Sequence, residues 1–161
     1  IVGLGEVGLD KSIEEHNLNK QKKVFEKIIK LSEKIKKPLI VHSRKAEIDC
    51  IEMLESCKHK KIVMHMFSGN FRLVKRVEDN GWMLSIPVSI ERLQHFQLMV
   101  EKVNINQLLT ETDSPWGPLK NVEKNEPSYV EFTLKKISEI KNIDFEEVKK
   151  NIFMNFQKLF L

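Results

Sequence analysis

The hydrophobic positions of the chain form two alternating patterns: short apolar runs, and longer segments in which apolar residues recur at helical spacing. Short apolar runs are typical of buried strands, and the periodic segments are typical of amphipathic helices. The runs predict strands at Ile1–Gly5, Leu39–Val41, Ile62–Met64, Trp82–Ile86 and Gln107–Thr110. The periodic segments predict helices at Asn19–Ile35, Ala46–Cys57, Phe71–Asn80, Glu91–Val103, Pro127–Lys141 and Phe145–Leu161.

The order of these elements predicts an α/β fold. Strands and helices alternate, and the sequence contains no hairpin signal, so we expect a parallel sheet with helical crossovers. The length of 161 residues corresponds to a single domain over residues 1–161. The chain opens inside an apolar run without Met, and we therefore expect an N-terminal truncation.

The composition excludes some classes of protein but does not indicate a function by itself. Hydrophobic residues make up 41% of the chain and charged residues 31%, which excludes wholesale disorder. The net charge of +4 modestly favours a polyanionic partner, although solvated helix faces account for most of it. The sequence has no apolar run of membrane-spanning length, so we expect no membrane partner. Cys50 and Cys57 are expected as reduced, semi-buried thiols of a cytoplasmic protein.

Four residues with metal-binding side chains follow predicted strands. Glu6, His42 and His65 follow the first three strands, and Asp113 follows the fifth. The carboxyl ends of parallel strands meet at one edge, where active sites of α/β proteins are built. Two imidazoles and two carboxylates form a ligand set for a hydrolytic divalent-metal site. One polar residue at a strand end usually caps a loop, so the prediction depends on the four together.

Candidate phosphate-binding groups lie beside these ligands. Arg44 and Ser68 come shortly after His42 and His65, and guanidinium and hydroxyl donors suit phosphate oxygens. Ser68 also fits the role of a helix N-cap. Asp10 fits either a capping role in its own loop or support of a metal ligand. The long irregular segment Ser114–Glu126 follows the fifth strand, and loops of that length are more often functional than idle.

Other histidines and tryptophans carry weaker signals. His16, His59 and His95 occur in helical or lysine-rich sequence and are expected at the surface. Trp82 is expected in the core, whereas Trp116 fits either stacking on a base or sugar or simple packing of its loop. The sequence contains neither a Walker-type phosphate loop nor a serine nucleophile elbow.

Four segments resemble the TatD family of metal-dependent deoxyribonucleases, within the amidohydrolase superfamily. They occur in the order and spacing of that family: Gly5-Glu6-Val7-Gly8-Leu9-Asp10, His42-Ser43-Arg44, His65-Met66-Phe67-Ser68-Gly69 and Glu111-Thr112-Asp113-Ser114-Pro115. Two later segments, Asn125-Glu126-Pro127 and the ending Asn155–Leu161, also resemble the family. The resemblance therefore covers essentially the whole chain.

The resemblance implies a TIM-barrel-like fold, two divalent metal ions and hydrolysis of DNA phosphodiester bonds. It implies that Glu6 bridges or binds the metals, that His42 and His65 bind one ion, and that Asp113 binds the other. Asp113 would also position or deprotonate the attacking water, so Asp113 and Glu6 are the implied catalytic residues. Mg²⁺, Mn²⁺ and Zn²⁺ all accept these ligands. DNA is the implied partner, and no obligate protein partner is indicated.

The chain also departs from the family pattern. The His-x-His of the family's first strand and the first two βα units are absent from these residues, which implies an incomplete barrel. Lys11 stands where the family has an aromatic residue, and Ile28 stands at the place expected for a supporting Gln in the first helix. Two alternatives therefore stay open: another amidohydrolase-type metal hydrolase that acts on amides, esters or small phosphoesters, and a degenerate, non-catalytic partial barrel.

Overall fold

A computed structural model describes residues 1–12, 17–117 and 123–161, and it has the predicted alternation of strands and helices. The strands β1 to β5 span Leu4–Gly8, Leu39–His42, Ile62–Met64, Met83–Ile86 and Leu108–Thr110. The helices α1 to α6 span Leu18–Ile35, Glu47–Glu55, Phe71–Asp79, Gln94–Lys102, Val130–Lys141 and Phe145–Phe160. Short 3₁₀ turns cover Val88–Glu91, Ile105–Gln107 and Pro127–Tyr129. In the described ranges, no helix is both long enough and apolar enough to cross a membrane.

The chain divides into two compact units. The first comprises Ile1–Leu84 with Leu159–Leu161, and the second comprises Ser85–Lys158. In the first unit, β1, β2, β3 and the start of β4 pair in chain order, and every pair is parallel. The predicted α/β fold with a parallel sheet is therefore confirmed.

Strand β1 contains an irregularity beside Glu6. Leu4 pairs with Leu39 and Val7 pairs with Val41, so β1 advances three residues while β2 advances two. An extra residue of this kind bends a strand and redirects the side chains next to it. The predicted strand Ile1–Gly5 was therefore placed three residues too early, and Glu6 lies inside β1 rather than beyond its end.

The helices of the first unit bury one face each. Phe25 and Ile29 of α1 are buried, as are the apolar residues of α2 (Cys50, Ile51, Leu54) and α3 (Leu73, Val74, Val77). Trp82 is 1% exposed, so its predicted place in the core is confirmed. Cys50 is buried and Cys57 is half-buried, and neither forms a disulfide among the described residues.

In the second unit, α5 packs against α4, β5 and the 3₁₀ turn Val88–Glu91. The predicted helix Glu91–Val103 begins only at Gln94, because the residues before it form that turn, which buries Val88 and Ile90. The Asn155 side chain of α6 is buried and donates hydrogen bonds to the carbonyls of Ile105 (2.7 Å) and Leu108 (2.8 Å). These bonds fix α6 against the start of β5.

The prediction that His59 lies at the surface is wrong, because this residue is only 7% exposed. The Ser32 hydroxyl donates to the Lys37 carbonyl at 2.6 Å, so it accepts the bond from His59 Nε2 at 2.9 Å. The lysine-rich sequence around His59 concealed this pairing with α1. His95 is half-buried rather than exposed, and His16 lies outside the described residues.

We expect the first unit to lose stability on mild acidification through His59. Burial lowers the pKa of His59 in the folded protein, whereas the pKa of the ring in the unfolded chain is about 6.5. The stability that the neutral ring contributes is present above about pH 6.5 and is lost as the pH falls through the folded-state pKa. Urea unfolding at about pH 7.5 and about pH 5.5 should show a smaller acid-induced loss in His59→Gln than in the parent protein.

The matched control for this prediction is Ile29→Val, a buried substitution without a titratable group. It should lower the free energy of unfolding by about 0.5–1.5 kcal/mol at both pH values. An acid-induced loss in His59→Gln as large as that of the parent protein would contradict the prediction.

Candidate metal centre

Glu6, His42 and His65 come together in the first unit. Each offers one ligand atom, and these atoms all lie within 4.8 Å of one another. Glu6 Oε1 lies 2.8 Å from His42 Nδ1 and 3.4 Å from His65 Nε2. Atoms bound about 2.0–2.2 Å from one cation lie roughly 3–4 Å apart, so these separations suit a shared ion.

The parallel register brings these three side chains together. His42 ends β2, where it pairs with Gly8 of β1, and His65 directly follows β3. The His65 amide donates to the Val41 carbonyl at 2.9 Å, which extends the ladder one residue beyond β3. Gly8 permits the close approach of β1, since a Cβ there would lie 1.9 Å from the His42 carbonyl oxygen.

Asp10 supports His42 from the side opposite Glu6. Its Oδ2 lies 2.9 Å from His42 Nε2, while its Oδ1 accepts bonds from the Ser12 amide (2.7 Å) and hydroxyl (2.5 Å). Burial raises the pKa of Asp10, but the bonds from Ser12 and His42 outweigh it and lower that pKa to about 2. Asp10 therefore caps its own loop and also contacts the candidate ligand His42, and its carboxyl group stays ionised.

Gln21 of α1 fixes the backbone of Asp10. The Asp10 amide donates to Gln21 Oε1 at 2.7 Å, and Gln21 Nε2 donates to the Asp10 carbonyl at 2.9 Å. Gln21 therefore supports this loop from the first helix, a role that the sequence analysis did not assign to it. The substitution of the family's supporting Gln by Ile28 stays a prediction.

The donor set fits a divalent cation. A neutral imidazole has one N–H, and in His42 carboxylates face both ring nitrogens. If Nε2–H donates to Asp10, the lone pair of Nδ1 faces Glu6 with no proton between them. A metal ion held by Nδ1 and by the oxygen of Glu6 removes this repulsion. Metal-binding histidines usually donate their other ring N–H to a carboxylate, a backbone carbonyl or water, and Asp10 suits that place.

Asp113, the fourth candidate ligand, lies in the second unit. It follows β5 in a left-handed conformation with φ of 61°, and its carbonyl accepts a bond from the Trp116 amide at 2.8 Å. Trp116 is 71% exposed, so its indole is not packed under this loop. The part of Asp113 in metal binding and catalysis stays a prediction.

Asn125 holds the loop that carries Asp113, a role that motif reasoning missed. Its side chain is buried, and its Nδ2 donates to the carbonyls of Thr112 and Trp116, one on each side of Asp113. Its backbone amide donates to the Pro115 carbonyl at 3.3 Å. The resemblance of Asn125-Glu126-Pro127 to a family segment marked this residue, but it did not indicate which backbone groups Asn125 bonds.

The two predicted phosphate-binding residues lie in the first unit. Arg44 is exposed, and its guanidinium has no partner among the described side chains. Ser68 is also exposed, and its hydroxyl donates to Glu47 Oε1 at 2.9 Å. Ser68 does not cap α3, because the Asn70 side chain accepts the amide bonds at that helix start. The binding of phosphate by either residue stays a prediction.

Comparison with known proteins identifies relatives along the whole chain. The family model described as TatD related DNase matches residues 1–161. The uncharacterized metal-dependent hydrolase MJ1582 of Methanocaldococcus jannaschii is 35% identical over 99% of this chain and 63% of its own length. The human deoxyribonuclease TATDN3 is 33% identical over 99% of this chain and 60% of its own length. The chain thus spans less than two thirds of these relatives.

A solved structure supports the fold. The crystal structure of YJJV, a TatD homolog from Escherichia coli, matches 99% of this chain and 64% of its own with a TM-score of 0.90. The sequence identity is 22%, so this likeness concerns the fold alone.

We expect Asp10→Asn to weaken metal binding by about 10- to 100-fold, because the amide no longer provides the charge that orients and polarises His42. Titration calorimetry with Mn²⁺ or Zn²⁺ measures this change. Asp79→Asn removes an equal charge from an exposed site on α3 and serves as the control. Equal affinities in the two variants would show that Asp10 does not support a metal ligand.

We expect Asn125→Asp to loosen the Asp113 loop, because a carboxylate cannot donate to the carbonyls of Thr112 and Trp116. The free energy of unfolding should fall by about 1–3 kcal/mol. Amide exchange of residues 112–116 should rise when followed by mass spectrometry. Asn151→Asp, which loses a single bond to the Glu147 carbonyl, should leave exchange in this loop unchanged.

Proposed function

The chain belongs to the TatD-related DNase family, and we propose that the complete protein is a divalent-metal-dependent hydrolase that cleaves phosphodiester bonds of DNA. The observation that carries the proposal is the cluster of Glu6, His42 and His65 with Asp10 behind His42. The names of two relatives, a metal-dependent hydrolase and a deoxyribonuclease, support the reaction class and the substrate.

The residues of the first unit have distinct parts in this proposal. Glu6, His42 and His65 would hold one ion, and the contact with Asp10 favours the tautomer of His42 with its proton on Nε2, which would leave Nδ1 for the metal. A bound divalent ion polarises a phosphoryl oxygen and makes water a stronger acid near neutral pH. Mg²⁺, Mn²⁺ and Zn²⁺ all suit these ligands.

Asp113 and Glu6 are the proposed catalytic residues. We assign to Asp113 the binding of a second ion and the removal of a proton from the attacking water. A carboxylate suits both tasks, and Asn125 holds the backbone on either side of it. Glu6 has two carboxylate oxygens, and either of them would hold a metal ion.

Arg44 and Ser68 are the proposed phosphate-binding residues. The exposed guanidinium of Arg44 is available for bidentate bonds to phosphate oxygens. The Ser68 hydroxyl now donates to Glu47 and would redirect that bond to the substrate.

We expect the complete protein, loaded with Mn²⁺ or Mg²⁺, to release nucleotides from a labelled DNA oligonucleotide. Asp113→Asn should lower kcat by about 10²- to 10⁴-fold, the range for loss of a general base. Gel analysis of the labelled products measures the rate. Glu139→Gln, an exposed carboxylate on α5, removes one charge from the same unit and should retain the parent rate.

Two outcomes would favour the alternatives, which are another metal-dependent hydrolase and a non-catalytic protein. A protein that binds divalent metal but leaves single-stranded, double-stranded and damaged DNA intact is not a deoxyribonuclease, and a panel of amides, esters and small phosphoesters then identifies its reaction. A complete protein that binds no divalent metal supports a non-catalytic role.

A further inference from the structure

A group of basic side chains surrounds Asp49 in the first unit. Lys11 Nζ contacts Asp49 Oδ2, and Lys22 Nζ contacts Asp49 Oδ1. The three residues come from the loop after β1, from α1 and from α2. Two ammonium groups therefore share one carboxylate, and the trio carries a net positive charge.

The backbone places this trio next to the metal cluster. The Leu9 amide donates to the His42 carbonyl at 3.0 Å, and the Lys11 amide donates to the Arg44 carbonyl at 3.0 Å. Lys11 lies two residues beyond Leu9, and Arg44 lies two residues beyond His42. The backbones of Lys11 and Arg44 are therefore side by side. Two residues of extended chain span roughly 7 Å. Asp10, between Leu9 and Lys11, makes the bond to His42.

Arg44 and Lys45 add two more cations. Both are exposed, and neither has a partner among the described side chains. The carboxylates of this segment are engaged, since Glu47 accepts the Ser68 hydroxyl and Asp49 accepts both lysines. The segment thus presents excess positive charge beside a cluster that is proposed to cut a polyanion.

We propose that Lys11, Lys22 and Arg44 form a phosphate-binding subsite that holds a DNA backbone phosphate next to the one that is cleaved. An ammonium group has three N–H donors, so each lysine that contacts Asp49 retains donors for a phosphate oxygen. Asp49 holds the two flexible side chains in place, which reduces the entropy that they lose on binding. The inference rests on the proposed function, because it names how that substrate is held.

The test compares charge variants of the complete protein on a single-stranded oligonucleotide. Lys11→Ala and Lys22→Ala should each raise KM by about three- to tenfold, with the effect on KM rather than on kcat. Each should also reduce the slope of log affinity against log salt by about 0.7–1. Fluorescence anisotropy with the labelled oligonucleotide in EDTA measures this slope without catalysis.

Lys135→Ala is the matched control, since Lys135 is an exposed lysine on α5 that pairs with Glu131. It removes the same charge and the same kind of ion pair, and it should leave KM and the salt slope at parent values.

Asp49→Asn distinguishes phosphate binding from a purely structural ion-pair network. Removal of its negative charge ends the repulsion between Asp49 and a phosphate, and this gain should equal or outweigh the loss of positioning. The oligonucleotide affinity should therefore stay unchanged or increase, in contrast to the two lysine variants. If the network is only structural, all three variants will weaken binding in parallel with a lower Tm, and the inference is overturned.

The binding assay also keeps this inference separate from the proposed function. A protein that binds DNA with the expected salt slopes but never cleaves it supports the subsite and contradicts the nuclease function. A protein that cleaves DNA with parent KM in Lys11→Ala and Lys22→Ala contradicts the subsite alone.

Discussion

The geometry of the candidate metal cluster depends on the contact between His42 Nε2 and the Asp10 carboxylate. When the neutral ring of His42 donates its one N–H to Asp10, Nδ1 is left to face Glu6. The bond depends in turn on Ser12 and Gln21, which fix the carboxylate and the backbone of Asp10. The loop after β1, β2 and α1 are therefore all needed to orient one ring.

Three consecutive residues, Leu9, Asp10 and Lys11, each make a different contact near His42. Leu9 is fully buried in the core, Asp10 bonds His42, and Lys11 contacts Asp49 on α2. A core contact, a contact with a candidate ligand and a surface ion pair thus follow one another along the chain. The backbone bonds of Leu9 and Lys11 to the chain around His42 keep the three roles in register. A change in strand register would disturb all of them together.

Sequence patterns predicted the class of fold well, because buried strands and amphipathic helices leave periodic signals. These patterns were less accurate where the backbone departs from regular strand or helix geometry. The extra residue in β1 placed Glu6 inside the strand, and the 3₁₀ turn Val88–Glu91 shortened the helix that was expected to begin at Glu91. His59 was misplaced at the surface, because its lysine neighbours reflect the loop around it rather than its contact with Ser32.

The candidate ligands were predicted from residue types whose chemistry spacing can reveal. The roles of the amides were not predicted, although Asn125 and Asn155 lie in segments that resemble the family. Gln21 bonds both backbone groups of Asp10, Asn125 bonds the carbonyls on either side of Asp113, and Asn155 bonds two carbonyls at β5. In each case a side-chain amide bonds backbone groups in a loop or at the end of an element, where leaving a buried group unpaired would be costly. The role of such a residue becomes recognisable only when the backbone groups that it bonds are located.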